Sequence, residues 1–159
     1  MSDRAEGAEQ APHGTPAVIV VLIGICVVIE AILTLADWGL VGTPWLRKTV
    51  YEYGAFWPGL LHNWRPNYPG QAVAMFLTHA FLHGGLTHLA MNMITLWSLG
   101  RAVAERAGSL RFNLIYFGSA IAGAGFFAAI SSSLTPMVGA SGALFGLAGA
   151  LVGWNWDDR

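Results

Sequence analysis

Long runs of apolar residues alternate with polar stretches along the chain. The first run, residues 17–36, contains one charged residue, Glu30. About twenty apolar residues are enough to cross the hydrocarbon core of a bilayer, so this run predicts a first transmembrane helix. Three further runs predict three more spans, at residues 86–103, 112–130 and 137–154.

The remaining segments differ in character from these runs. Residues 1–16 are polar and predict a disordered tail ahead of a membrane domain at residues 17–159. Residues 37–70 contain four tryptophans and three tyrosines, side chains that gather at membrane–water boundaries. We therefore expect this segment to lie in the interface, with short helices. A shorter apolar run at residues 71–81 follows it.

Glu30 lies within the predicted first span, where a carboxylate is energetically expensive and must face protein or water. One interpretation is a proton carrier. The other is a carboxylate that packs between helices or lies toward the interface. The second is favoured, because ionisable groups inside a membrane usually pair with other parts of the protein.

Composition narrows the function classes. Hydrophobic residues make up 55% of the chain and charged residues 11%, whereas soluble domains have about 25% charged residues. The formal net charge is −1 and no basic stripe is present, which excludes nucleic-acid binding. Cys26 is the single cysteine, and no Cys/His spacing indicates a metal site. We expect neither a metal nor an organic cofactor.

Charges near the predicted spans indicate the topology. Arg101, Arg106 and Arg111 crowd the short link between the second and third spans, which places this link on the cytoplasmic side. The N-terminus is then cytoplasmic, and the start of the fourth span lies near the outer face. We expect a multi-pass integral membrane protein of a bacterial-type inner membrane.

The sequence Gly139-Ala140-Ser141-Gly142 places one hydroxyl group between glycines near the start of the fourth span. Unpaired N–H groups and the helix dipole favour negative charge at a helix start, which suits a nucleophile whose attack creates an oxyanion. Glycines also allow a substrate backbone to approach closely. The competing interpretation is a serine that only caps the helix, and this motif alone favours capping.

A second group of polar residues stands at the entry to the second span: His79, His83, His88 and Asn92. His88 and Asn92 are four residues apart and share a helix face, and both carry the N–H donors that an oxyanion site needs. By themselves they would indicate an interhelical hydrogen bond. The topology brings them to the depth of Ser141, and this convergence favours an intramembrane site. His79 and His83 are weaker candidates for a direct role.

Small residues at four-residue spacing predict close packing of the later spans. Such pairs are Gly142 with Gly146, and Ser119 with Gly123. This pattern indicates a compact helical bundle and carries no information about function.

The pairing of His83-x4-His88-x3-Asn92 with the Gly-Ala-Ser-Gly motif resembles the rhomboid family of intramembrane serine proteases. The resemblance covers about residues 76–154. It implies an all-α, polytopic membrane bundle of six transmembrane helices, of which about four are present here. It also implies that the substrates are transmembrane segments of membrane proteins.

The resemblance assigns roles to individual residues. Ser141 would be the nucleophile, and His88 and Asn92, with the backbone N–H of Ser141, would stabilise the oxyanion. Supporting positions of the motifs are Gly139, Gly142 and His83.

The family's serine works with a histidine from a later span, and this sequence has no histidine after His88. We therefore expect the 159 residues to be the N-terminal portion of a serine endopeptidase, inactive by themselves. Two alternatives stay open: a non-catalytic rhomboid-like protein that binds membrane clients, and an unrelated structural membrane protein. The sequence indicates no oligomeric state.

Overall fold

Helices form nearly all of the regular structure in residues 16–131 and 134–157, the part of the chain that the computed structural model describes. The α-helices are α1 (Ala17–Asp37), α2 (Leu46–Gly54), α3 (Gln71–Thr78), α4 (Leu86–Ile130) and α5 (Ser141–Asp157). Short 3-10 helices occur at Pro58–Leu61 and His79–Phe81. The predicted all-α fold is confirmed. The predicted disordered tail lies outside the described residues, apart from Pro16.

Two helices within the described ranges, α1 and α4, are long and apolar enough to cross a membrane. Helix α1 matches the predicted first span and extends it by one residue. Ile19 and Leu33 on one side of α1 are buried in the protein, whereas Val20 and Val28 are more than half exposed. A helix that crosses a membrane is surrounded by lipid, so exposed valines are expected on its outer face.

Helix α4 folds back on itself at a single glycine. Its 45 residues would extend about 67 Å if straight, roughly twice the thickness of the hydrocarbon core. Gly108, with φ +83° and ψ 163°, breaks the helix. A Cβ atom at Gly100 would lie 3.2 Å from the ring of Phe112, although twelve residues of straight helix would separate them by about 18 Å. The predicted link between two spans is therefore shorter than expected, because helix continues on both sides of Gly108.

Helix α5 begins later than the predicted fourth span. The apolar run starts at Met137, but the first helical residue is Ser141. Met137 instead exchanges two backbone hydrogen bonds with Phe56, at 2.9 and 3.0 Å. Gly139 has φ +114°, which a right-handed helix does not allow. The prediction of a helix from residue 137 is therefore wrong at its first turn.

Small residues let α5 pack closely against the second arm of α4, residues 109–130. A Cβ atom at Gly123 would lie 3.3 Å from Cα of Gly142. One turn further along α5, Gly146 lies against the side chain of Ser119. The two predicted pairs therefore pack against each other across one helix interface.

Replacing Gly146 by alanine is expected to destabilise the bundle, by about 1–3 kcal/mol, because the new methyl group would overlap the Ser119 side chain. Gly149→Ala is the matched control on the same helix, since no atom of the described residues lies within 4 Å of its added Cβ atom. Thermal unfolding in detergent measures the difference. Equal stability of the two variants would contradict the close packing, and Ser119→Gly should restore the stability of Gly146→Ala.

Candidate active site

Backbone hydrogen bonds from two distant segments hold the loop that precedes α5. Met137 pairs with Phe56 from the segment of residues 37–70. The N–H of Gly139 donates to the carbonyl oxygen of His79 at 3.0 Å. These bonds fix the point at which α5 begins, and thereby the position of Ser141.

Ser141 is the first residue of α5, and it is exposed. Among the residues that the structure describes, its hydroxyl group has no hydrogen-bond partner, so it does not cap the helix. The N–H of Leu144 already bonds to the carbonyl oxygen of Ala140, at 3.0 Å. The preceding N–H groups of the first turn have no acceptor within the helix, and these are the groups that stabilise an anion at a helix start.

The ring of His88 lies directly against Gly139. A Cβ atom at position 139 would stand 2.8 Å from both Cε1 and Nε2 of this ring. The N–H of Gly84 donates to Nδ1 of His88 at 3.2 Å. Because a backbone N–H can only donate, Nδ1 is an acceptor, and a neutral His88 carries its proton on Nε2. The N–H of the imidazole is therefore directed toward the loop before Ser141.

Asn92 and Ser141 line one cavity of about 280 Å³ between α5 and the first arm of α4, residues 86–107. The other lining side chains are mainly apolar: Met91, Thr95, Leu99, Leu144, Phe145 and Ala148. One N–H of the Asn92 amide donates to the carbonyl oxygen of His88 at 2.8 Å. The amide has a second N–H. Asn92 Oδ1 is buried and has no hydrogen-bond partner in the part of the chain that the structure describes.

The two weaker histidine candidates have different surroundings. His79 is buried, and its Nδ1 lies 2.9 Å from the carbonyl oxygen of Met75, so Nδ1 carries the proton there. His83 is fully buried in the loop before α4, and among the described residues neither ring nitrogen has a hydrogen-bond partner of good geometry. Burial, together with the neighbouring His88, lowers the pKa of His83 to about 4. His83 is therefore neutral at pH 7.

An ion pair links α1 to the segment that follows it. Glu30 is fully buried and accepts hydrogen bonds from Arg47 at 2.8 and 3.0 Å, one on each carboxylate oxygen. Thr34 donates a further bond to Glu30, at 3.1 Å. This arrangement supports the interpretation of Glu30 as a carboxylate that packs between helices.

Sequence reasoning missed Arg47 and Tyr51, although both contact the loop that leads to His88. A signal for Arg47 was present, because a carboxylate inside a span requires a partner. Arg47 is the first cationic residue after Glu30. No sequence pattern indicated Tyr51.

The fold and this site define a class of protein: a polytopic, all-α integral membrane protein with a serine at a helix start, beside a mainly apolar cavity that Asn92 also lines. Residues 70–159 match the Rhomboid domain family. The chain belongs to the rhomboid family, which includes intramembrane serine proteases.

Curated relatives agree with this assignment. The chain is 49% identical over 76 residues to Rhomboid protease GluP of Bacillus subtilis, an alignment that covers 48% of this chain and 15% of GluP. It is 44% identical over 75 residues to Rhomboid protein 1, mitochondrial, of Saccharomyces cerevisiae, covering 44% of this chain and 22% of that protein. Inactive RHOMBOID-like protein 8 of Arabidopsis thaliana is 33% identical over 98 residues, covering 60% of this chain and 28% of that protein. The chain thus spans less than a third of each of these relatives.

Proposed function

We propose that this protein is an intramembrane serine endopeptidase that cleaves transmembrane segments of membrane proteins. The observation that carries the proposal is the cavity shared by Ser141 and Asn92, with the His88 ring against the loop before Ser141. Ser141 attacks the substrate carbonyl carbon. Three N–H donors stabilise the oxyanion that forms: the backbone N–H of Ser141, the side-chain amide of Asn92 and Nε2–H of His88.

The proton of Ser141 must pass to a general base during this attack. The described histidines near the site are poor candidates. Nε2 of a neutral His88 already carries a proton, because Nδ1 accepts from Gly84. The low pKa of His83 makes that ring a weak base. We therefore propose that the base is a histidine outside these 159 residues, as the family resemblance implies.

We also propose that cleavage occurs near the outer face of a bacterial-type inner membrane, with the N-terminus in the cytoplasm. Arg106 lies over the ring of Trp154 near the end of α5, at the opposite end of this helix from Ser141. Arg101 and Arg111 lie on either side of the bend of α4 at Gly108, close to Arg106 in the sequence. A concentration of arginines marks the cytoplasmic side, so Ser141 lies toward the other side.

A serine-directed fluorophosphonate probe tests the proposal on the full-length gene product in detergent. The expected result is covalent labelling that mass spectrometry locates on Ser141 and that the Ser98→Ala variant shows equally. Ser98 is a matched control because it is an exposed serine on α4 that does not line the cavity. Labelling elsewhere, or none at all, would remove the assignment of Ser141 as nucleophile.

His88→Ala and Asn92→Ala are each expected to slow turnover by roughly 10²–10³-fold, because each removes one oxyanion donor. KM should change little, since the donors act on charge that develops in the transition state. Steady-state cleavage of a transmembrane substrate measures both constants. Full rates in both variants would show that the oxyanion assignment is wrong.

The second candidate is a non-catalytic rhomboid-like protein that binds membrane clients. Similarity to a relative named inactive keeps this candidate open. The probe experiment separates the two, because a binding protein has no requirement for a reactive Ser141.

A further inference from the structure

The peptide group between His83 and Gly84 makes hydrogen bonds through both its carbonyl oxygen and its N–H. Its carbonyl oxygen accepts hydrogen bonds from Nη1 of Arg47 at 3.1 Å and from Oη of Tyr51 at 2.5 Å. Its N–H donates to Nδ1 of His88 at 3.2 Å. A peptide group is planar, so the direction of its carbonyl bond determines the direction of its N–H bond.

Arg47 itself makes three hydrogen bonds to carboxylates of α1. It binds both carboxylate oxygens of Glu30 and also donates to Asp37 at 2.6 Å. Glu30 is fully buried in α1. A guanidinium group presents its donors in a planar fork, so these bonds to α1 also determine where its Nη1 donor to His83 points.

We propose that Arg47 and Tyr51 are positioning residues that set the tautomer and ring orientation of His88 through the His83–Gly84 peptide group. Donors on the carbonyl oxygen polarise the amide and strengthen its N–H as a donor. The stronger donor keeps Nδ1 of His88 as an acceptor. The Nε2–H edge of the ring then stays against Gly139.

This inference rests on the proposed function only for its catalytic consequence. In metal sites, replacing a residue that hydrogen-bonds to a ligating histidine commonly lowers activity by roughly 10- to 100-fold. We expect an effect of similar size for residues that position His88. A simple brace between α1 and α2 would behave differently. It would lower the stability of the protein when removed and leave the tautomer of His88 unchanged.

Three variants remove the donors in separate steps. Tyr51→Phe removes one donor without any change of charge. Glu30→Gln combined with Arg47→Met removes the other donor and leaves no unpaired buried carboxylate, which would threaten folding. The third variant combines all three substitutions. Tyr53→Phe is the matched control, because Tyr53 lies on the same helix and its ring stacks on Tyr68 instead of reaching His83.

Nitrogen NMR of histidine-labelled full-length protein in detergent reports which imidazole nitrogen of His88 is protonated. The His88→Gln variant identifies the signal. We expect the Nε2-protonated form in the wild type and in Tyr53→Phe, and a mixture of both tautomers in the triple variant. In a cleavage assay, kcat of the triple variant should fall roughly 10- to 100-fold with KM unchanged.

A folded triple variant that keeps the wild-type tautomer would overturn the proposal. If the triple variant does not fold, Tyr51→Phe decides. If His88 in Tyr51→Phe has the same tautomer population as in Tyr53→Phe, the proposal is overturned. A shift of His88 toward Nδ1 protonation in Tyr51→Phe supports it. If the fluorophosphonate probe fails to label Ser141, the proposed function fails, but the NMR measurement still tests the positioning role.

Discussion

Replacing Ser141 by alanine is expected to abolish cleavage of a transmembrane substrate by the full-length protein. Alanine has no group that can form the acyl-enzyme, and residual turnover should fall to the background of the assay. The fold should be preserved, because the hydroxyl group makes no hydrogen bond to any residue that the structure describes. Turnover is followed by gel analysis of a membrane-protein substrate in proteoliposomes.

Thermal unfolding of the same Ser141→Ala preparation supplies the necessary control. An unchanged unfolding temperature with lost turnover assigns the defect to chemistry. Ser98→Ala should retain both activity and stability, since Ser98 is exposed on α4 and does not line the cavity. Cleavage by Ser141→Ala at the wild-type rate would refute the role of Ser141 as nucleophile.

Gly139→Ala is expected to reduce kcat by about 10²-fold or more, although position 139 carries no reactive group. The added methyl group would stand 2.8 Å from Cε1 and Nε2 of His88, closer than real Cβ contacts allow. The ring would have to move away from the loop before Ser141, and a displacement of about 1 Å can lower a rate 10²-fold. The φ angle of +114° adds backbone strain of about 1–3 kcal/mol for alanine.

Gly70→Ala separates the two effects of that substitution. Gly70 also has a positive φ, +86°, but within the described ranges no atom lies within 4 Å of an added Cβ atom. This control should lose some stability and keep its kcat. If Gly70→Ala and Gly139→Ala lost activity equally, backbone strain alone would explain the result, and the contact with His88 would have no catalytic importance.

Several features of the protein could be predicted from individual residues. Apolar runs of membrane-spanning length indicated α1 and both arms of α4, because length and hydropathy are local properties of a sequence. The family was evident from two motifs, one containing His88 and Asn92 and the other containing Ser141. Four-residue spacing of small residues indicated close packing of the later spans, and the structure shows this packing between α4 and α5.

Other features required long-range contacts. Pairing with Phe56 keeps residue 137 out of α5, although its apolar character matches the helix that follows. Gly108 reduces the link between the arms of α4 to one residue, because helix-forming neighbours continue on both sides. Neither result follows from composition, since each depends on which backbone groups meet in the folded chain.

By itself, the sequence determined the class of fold, the family and the side chains available for chemistry at the site. The tertiary structure decided how those side chains are held. It brought Ser141 and Asn92 to one cavity, placed the His88 ring against Gly139, and joined Glu30 to the His83–Gly84 peptide through Arg47. The physical reason is that hydropathy and spacing act along the chain, whereas a hydrogen bond between residues 36 positions apart is specified only when helices pack.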